Sequence, residues 1–536
     1  MDLNLKQYEK LGPFEIKDFV AKLATKSAQE NALSYLNAGR GNPNWVATEP
    51  REAFFLLGQF AVTECKRVLD LPPGVGGMPK ASGIAGRLEA WSKKQEEMPG
   101  ASFLQTMVPW AVNKFSFDPD KFVHELVDSI IGDHYPVPDR MLVHNEQIVH
   151  EYLEWAMCGN PRPEGKFKIY AVEGGTAAMC YIFKSLKSNR LLNPGDTIAL
   201  GVPIFTPYLE MAHLEDYDLH FVEVHAKQEN RFQYPDEEIK KLLDPKIKAF
   251  FVVNPGNPSG MGMSRETIAK LVNIVKTKRP DLMLLTDDVY GTFVNDFRSL
   301  LGELPYNTIG VYSYSKYFGC TGWRLGTIAV HEKNIFDDMI AKLPAEHVKA
   351  LDKRYGGLTL EPRKLKFIDR IVADSRDIAL NHTAGLSLPQ QVMMSLFSLY
   401  ELMDSKKEYQ KACMEIVHKR MMALLEGMGL EVPANPNFDA YYALIDFEFW
   451  ARKNIGDQAV EYLKKNIHPL DLAFKLAEAH GIVLLNGGGF DAPNWSLRVS
   501  LANLPDEAYN EIGRGVRSIA RGYRERAEAS RGADKK

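Results

Sequence analysis

Between about residues 135 and 332 the chain alternates short apolar or β-branched runs with longer amphipathic stretches. The runs are KIYAVEGG (168–175), DTIALGVP (196–203), AFFVVNP (249–255), LMLLTDDVY (282–290), TIGVYSYS (308–315) and LGTIAV (325–330). Strand-sized runs alternating with helix-sized stretches are the pattern of a mostly parallel sheet with crossover helices. Nearly every run ends in Gly, Pro, Asn or Asp, and open α/β sheets bind ligands at those carboxyl ends. Before this region, residues 1–134 mix short helical patterns with a Pro/Gly-rich break, LPPGVGGMPKASGIAG (71–86). They are expected to form an N-terminal arm and a helical extension that is part of a smaller domain. Residues 135–332 make the large domain. Residues 333–380 comprise a charged, helical insertion (333–376) and an interdomain connection, and 381–536 make the C-terminal small domain, with strands in YYALIDFEF (441–449) and SLRVSLANL (496–504). The last stretch, RERAEASRGADKK (524–536), is expected as a frayed helix end and a disordered tail.

Composition narrows the class without naming a function. At 536 residues, with 45% hydrophobic and 25% charged positions, the chain has the profile of a multi-unit globular protein. A net charge of −4 gives no electrostatic case for nucleic acid or an anionic membrane. The longest apolar runs are strand-sized, and the N-terminus carries no apolar run behind a basic start. Cys65, Cys158, Cys180, Cys320 and Cys413 show no C-x-x-C spacing, which argues against a zinc site or disulfide framework and suits a reducing cytoplasm. No metal site is expected.

The chemistry concentrates at the strand ends. SYSKYFGCTGWRLG (313–326) places Lys316 directly after a strand, between hydroxyls and a glycine-rich turn. Alone it would read as a surface lysine at a strand end. LLTDDVYGTF (284–293) sets Asp287 and Tyr290 three apart behind an apolar strand, with Asp288 the nearest rival and a turn-forming Asp pair the plainer alternative. VVNPGNPSG (252–260) carries Asn257 in what is also a simple strand-ending turn. AVEGGTAAMC (171–180) reads as strand, turn and helix, so Gly174, Gly175 and Thr176 offer N–H groups and a hydroxyl to an anion. Phe205, in GVPIFTPY (201–208), is either an aromatic cover or ordinary core. Pyridoxal 5′-phosphate (PLP) chemistry needs a lysine that bonds the cofactor, an acid on its pyridine nitrogen, a phosphate cup and an aromatic cover. Each has a candidate here, in a consistent order.

In these segments the chain resembles the fold-type I, aspartate aminotransferase-like PLP enzymes. The resemblance covers about 36–45 and 130–505, with Arg324 eight residues after Lys316 as in that family. It implies an α/β fold of the fold-type I transferase kind: a mostly parallel seven-stranded sheet in a large domain, plus a smaller α+β domain. By the resemblance Lys316 bonds the cofactor. Ser313, Ser315, Arg324, Gly174, Gly175 and Thr176 surround its phosphate, and a guanidinium fork suits that dianion. Asp287 pairs with the pyridine nitrogen, Asn257 and Tyr290 meet the phenolic oxygen, and Phe205 stacks on the ring. Tyr135, in DHYPVPDR (133–140), resembles the tyrosine that reaches the phosphate of a neighbouring subunit's cofactor, which implies a homodimer as the active unit, assembled into a larger homo-oligomer.

On the substrate side, Arg498 in SLRVSLANL resembles the arginine that grips the α-carboxylate of an amino acid. LNAGRGNPNW (36–45) resembles the segment that folds over the substrate, with Gly39 on pattern and Arg40 off it. His134 and His382 are read as structural. Two departures point away from an ordinary aminotransferase. The chain is long, and the arginine that would clamp a side-chain carboxylate is missing, Arg376 being near but in poor register. With its long N-terminal segment, the chain most resembles the aspartate 4-decarboxylases, which convert L-aspartate to L-alanine and CO₂ with some transamination. There the freed lysine takes the Cα proton, and CO₂ leaves from a position β to an electron-poor carbon–nitrogen bond, as in a β-keto acid. A loose contact from Arg40 suits that loss better than a tight clamp, which would stabilise the charge that must disappear. The alternatives are an aspartate or related aminotransferase and, from another class, a PLP-fold ligand sensor in a regulator, for which no DNA-binding stretch precedes residue 135.

Overall fold

The six apolar runs and one further strand lie side by side in one sheet of the computed structural model, which describes residues 5–9, 11–31, 34–212, 217–379, 385–430, 438 and 441–533. The strands are β1 (Phe167–Val172), β2 (Thr197–Val202), β3 (His220–His225), β4 (Ile247–Val253), β5 (Met283–Asp287), β6 (Thr308–Ser313) and β7 (Gly326–His331). Their order across the sheet is β1-β7-β6-β5-β4-β2-β3. All neighbours run parallel except β7, which is antiparallel to both β1 and β6. This is the expected mostly parallel seven-stranded sheet. The strand the apolar pattern did not announce is β3, HFVEVH, an edge strand with only Val224 fully buried. Edge position explains its weak signal, because one flank and much of its surface face water.

Alternation along each strand feeds two cores. Phe250 and Val252 pack with Ala199 and Leu284 on one face of the sheet. Phe251 and Val253 pack with Leu200, Leu285 and Val311 on the other. Burial on both faces is why these strands read as continuous apolar runs. A second, three-stranded antiparallel sheet has the order β8-β10-β9, with β8 at Tyr442–Asp446, β9 at Leu485–Asn486 and β10 at Ser496–Ser500.

The N-terminal helix Pro13–Asn31 presents Ile16, Val20 and Ala24, four apart, to Leu470, Phe474 and Ala477 of the later chain. Leu36–Asn37 then pairs in parallel with Ile482–Val483, which fixes the arm against the small sheet. Helices Thr48–Val68, Pro99–Phe115 and Pro119–Ile131 pack on one another and on Leu388–Met403. The expected disordered tail is instead helical to Ala533. Tyr509, Ile512, Val516, Ala520, Tyr523 and Ala527 recur at helical spacing and are buried, so apolar contact holds the helix together almost to its end. Where this helix crosses Glu408–Met428 the two backbones touch, and a Cβ on Gly513 would lie 2.8 Å from the Met428 nitrogen.

The 333–376 segment forms helices that join the same core as the helix after β1, through Phe336, Leu351, Tyr355, Phe367 and Ile371. A polar knot reinforces the contact. Asp374, fully buried, accepts from Ser185 Oγ at 2.7 Å, from Tyr355 OH at 3.0 Å and from Arg354 at 2.7 Å. Asp374→Ala would strand those donors without their acceptor. It is expected to cost about 3 kcal/mol, measured as a lower urea midpoint, while leaving the distant strand-end residues in place.

Candidate active site

The carboxyl ends of the parallel strands and the start of antiparallel β7 open on the same edge of the sheet. After β1 the chain turns at Gly174 (φ +93°) into the helix Gly175–Ser188. Glycine is required there. A Cβ would sit 2.5 Å from Arg324 Nη2, and the same turn lies so close to β7 that a Cβ on Gly326 would be 2.7 Å from Gly174 Cα. Arg324, itself left-handed at φ +57°, donates to the Thr321 carbonyl at 3.1 Å. Ser313 donates to Ser315 Oγ at 2.9 Å. First-turn N–H groups of a helix lack intrahelical acceptors. Those of the Gly175 helix, two serine hydroxyls and a guanidinium therefore enclose one end of a cavity of about 310 Å³, which is a ready site for a phosphate.

Asp287 closes β5 and is 5% exposed. Tyr208 OH donates to its Oδ2 at 2.6 Å and the Val289 N–H to its Oδ1 at 3.2 Å. Burial pushes the Asp287 carboxyl above its ordinary range, while those two donors and the nearby Lys316 charge pull it back. Asp288 points elsewhere. It is fully buried, accepts from Thr286 Oγ1 at 2.7 Å and from Ser299 Oγ, and burial pushes its pKa up to about 8. Successive strand residues face opposite sides. Asp287 therefore faces the cavity and Asp288 the protein interior.

Lys316 Nζ donates to the Gly41 carbonyl at 3.1 Å, and Tyr441 OH donates to the same oxygen at 2.7 Å. Arg498 is 1% exposed. Its guanidinium donates to Asn257 Oδ1 at 3.0 Å and to the Gly39 carbonyl at 3.1 Å, while its buried Nε has no hydrogen-bond partner. The rings of Tyr442 and Phe490 lie 4.3 and 5.0 Å from it. Tyr290 OH donates to Tyr442 OH at 3.4 Å.

Eleven of the residues singled out in the sequence line this one cavity: Gly175, Thr176, Phe205, Asn257, Asp287, Tyr290, Ser313, Ser315, Lys316, Arg324 and Arg498. Gly174 abuts it through Arg324, and Gly39 through Arg498. Arg40 is exposed, next to the cavity-lining Gly41. Tyr135 is 74% exposed and outside the lining. Arg376 is paired with Asp139. His134 is held by Asp128 at 2.8 Å. His382 lies outside the described residues.

The lining also includes Phe14, Gly41, Tyr208, Thr321 and Tyr442, which the sequence reading passed over. Tyr208 had a discoverable signal, standing three residues after Phe205 at the start of a helix. Gly41 stood inside the quoted covering segment. Phe14 had none, because it arrives from the N-terminal helix to meet Phe205 at 6.0 Å between ring centroids. An amine, a buried acid, an anion cup and a guanidinium with a free buried nitrogen around one cavity fit PLP and a carboxylate substrate.

Comparison with known proteins agrees. The family Aminotransferase class I and II matches residues 171–514. A Pseudomonas protein described as a bifunctional aspartate aminotransferase and L-aspartate beta-decarboxylase is 46% identical, over 97% of this chain and 98% of its own length. An aspartate aminotransferase of Sulfurisphaera tokodaii is 30% identical over 27% of this chain and 37% of its own. Among solved structures, a Thermus thermophilus aspartate aminotransferase variant matches with a TM-score of 0.57 at 18% identity, covering 94% of this chain and 96% of its own. The aromatic aminotransferase of Pyrococcus horikoshii matches with a TM-score of 0.56 at 17% identity, covering 94% and 99%. These structural likenesses carry the fold.

The two adjacent aspartates are expected to separate experimentally. Asp288 holds its proton more tightly folded, at about 8, than unfolded, at about 4. Its contribution to stability is therefore complete below the unfolded value and lost as pH rises toward 8. Asp288→Asn is expected to flatten that loss, read as the urea midpoint at pH 5 through 8, and to spare turnover. Asp287→Asn is expected to abolish most turnover with a small change in midpoint.

Proposed function

The chain belongs to the class I and II aminotransferase family, and on that premise we propose a PLP-dependent β-decarboxylation of L-aspartate to L-alanine and CO₂, with transamination as a side activity. The observation that carries it is the near-complete, 46% identical match to the bifunctional Pseudomonas enzyme. The site geometry supports the same reading. Arg498 is buried, with neutral hydrogen-bond partners and an unused nitrogen. Arg376, where an aminotransferase-style clamp was sought, is engaged by Asp139 instead.

In this reading residues 135–332 form the cofactor domain, and the unit from 381 onward carries Arg498. The bound cofactor supplies an electron sink for the pairs released at the substrate's Cα and Cβ. Lys316 Nζ holds the cofactor at rest and, once freed, takes the Cα proton. Asp287 would pair with the pyridine nitrogen and hold a proton there, with Tyr208 donating to its carboxylate at 2.6 Å. Gly174, Gly175, Thr176, Ser313, Ser315 and Arg324 hold the phosphate, Asn257 and Tyr290 the phenolic oxygen, and Phe205 covers the ring. Arg498 fixes the α-carboxylate, so that Cα stands against Lys316. Gly39 and Gly41 close over the site through their carbonyls, and Arg40, between them, meets the β-carboxylate from solvent. A half-solvated contact of that kind orients the carboxylate without strongly stabilising a charge that must leave as CO₂.

Tyr135, exposed on its loop, serves the cofactor of a second copy, so the active unit is a homodimer, with further assembly expected. No helix among the described residues is long and apolar enough to cross a membrane, and the reducing cytoplasm is the expected compartment.

The direct test is incubation of the enzyme and PLP with L-aspartate and no 2-oxo acid. Equal amounts of alanine and CO₂ are expected. Oxaloacetate formation that requires an added acceptor, with no CO₂, would make the chain an ordinary aminotransferase. A second experiment concerns the side-chain carboxylate. Arg40→Ala is expected to reduce aspartate turnover and alter the ratio of alanine to oxaloacetate, while alanine still binds. Arg376→Ala should leave that ratio alone. The reverse result would place the clamp at Arg376.

A further inference from the structure

Loss of CO₂ from aspartate leaves an electron pair on Cβ that must become a C–H bond. Aminotransferases of the ordinary kind never meet this requirement. Lys316 is occupied at Cα, and Tyr290 is committed to the phenolic oxygen of the cofactor, so the decarboxylase reading calls for another acid in the cavity.

Tyr442 meets the geometric requirement. It opens β8, is 2% exposed and lines the cavity. Its hydroxyl and the Lys316 amine converge on one point: a Cβ added to Gly41 would lie 2.9 Å from Tyr442 OH and 3.1 Å from Lys316 Nζ. Its ring lies 4.3 Å from the Arg498 guanidinium. The phenol therefore spans the distance between the group that holds the α-carboxylate and the group that works at Cα. An amino acid held by both must begin its side chain alongside that hydroxyl. The guanidinium over the ring also stabilises negative charge as it develops on the phenol.

Resting on the decarboxylase reading above, we propose that Tyr442 is the catalytic acid that protonates substrate Cβ. The Cβ–carboxylate bond breaks, CO₂ departs and its bonding pair remains at Cβ. The Tyr442 O–H bond then breaks and the proton forms the new C–H bond, leaving a phenolate. Once CO₂ has left, a water entering the cavity returns a proton to the Tyr442 phenolate, whose oxygen accepts from Tyr290 at 3.4 Å. One proton is consumed per CO₂ released, which balances the conversion of aspartate to alanine.

The experiment compares wild type, Tyr442→Phe and an enzyme carrying 3,5-difluorotyrosine at position 442. For each, alanine and oxaloacetate are measured from aspartate across pH, and succinate binding is followed by calorimetry. Tyr442→Phe is expected to lower the ratio of alanine to oxaloacetate by about 10²-fold, the size of a lost general acid, with succinate affinity retained. The difluorotyrosine enzyme keeps the shape of the side chain with a more acidic phenol, so the high-pH limb of its alanine formation should move to lower pH. An unaltered product ratio in Tyr442→Phe would overturn the proposal and give the proton to Lys316 or water. Equal loss of both products together with weakened succinate binding, or an unmoved pH limb in the fluorinated enzyme, would also overturn it and make Tyr442 a support for Arg498. Wild type that forms no alanine would instead overturn the decarboxylase reading, and this proposal with it.

Discussion

Arg498 is the largest fully buried side chain among the described residues, and its hydrogen-bond partners are neutral oxygens. A guanidinium taken out of water without a paired anion is costly, and neutral acceptors offset only part of that cost. The acceptors it does have come from separate parts of the chain. Asn257 follows β4 of the large sheet, Gly39 belongs to the N-terminal arm, and the rings of Tyr442 and Phe490 belong to the small sheet and its loop. One incompletely satisfied cation thus joins the three parts that form the cavity. With its buried Nε unpartnered, it keeps the capacity to take up a carboxylate that enters the cavity.

The opposite edge of the cavity is organised by a carboxylate. Asp287 and Asp288 are adjacent, both buried, and differ in role because strand alternation turns them to different surroundings. Asp288 meets hydroxyls of Thr286 and Ser299, and burial keeps it protonated. Asp287 meets a phenol, a backbone N–H and the field of Lys316, all of which favour its ionised form against burial. A cation bound beside it would shift that balance further toward the ionised form. Two adjacent carboxyl groups therefore differ in what favours their charged form, by environment alone.

The close approaches at the strand ends leave little freedom for substitution. Gly174 and Gly326 touch beneath Arg324, and Gly41 sits between Tyr442 and Lys316, so a side chain at any of them would collide with those neighbours. The added helices of 48–131 and 335–379 pack against Leu388–Met403 and against the helix that follows β1, and Arg51 of the first also braces the loop after Lys316 by donating to the Gly319 carbonyl at 2.7 Å. They lengthen the chain without entering the lining.

The sequence by itself determined the sheet and most of the strand-end chemistry. Lys316, Asp287, Asn257, Ser313, Arg324 and the Gly174–Thr176 turn are each fixed by a strand and the few residues beside it. Local apolar pattern, glycine and proline report such positions directly. What the sequence left open is what depends on partners distant along the chain. Register with Tyr290 favoured Asp287 over Asp288, but the different surroundings of the two came only with the fold, and the sequence missed Tyr208, Phe14 and Tyr442, which are placed by the residues they meet and not by their neighbours. It read 524–536 as a frayed end and tail, because the packing that carries the last helix to Ala533 is invisible in a local window. It preferred Arg40 to Arg376 on pattern and register, and the folded chain adds that Arg376 is paired with Asp139 while Arg40 is exposed. Strand ends are local and therefore legible. The tyrosines, the arm and the charge partners are brought together by packing over hundreds of residues, and only the folded chain decides where they meet.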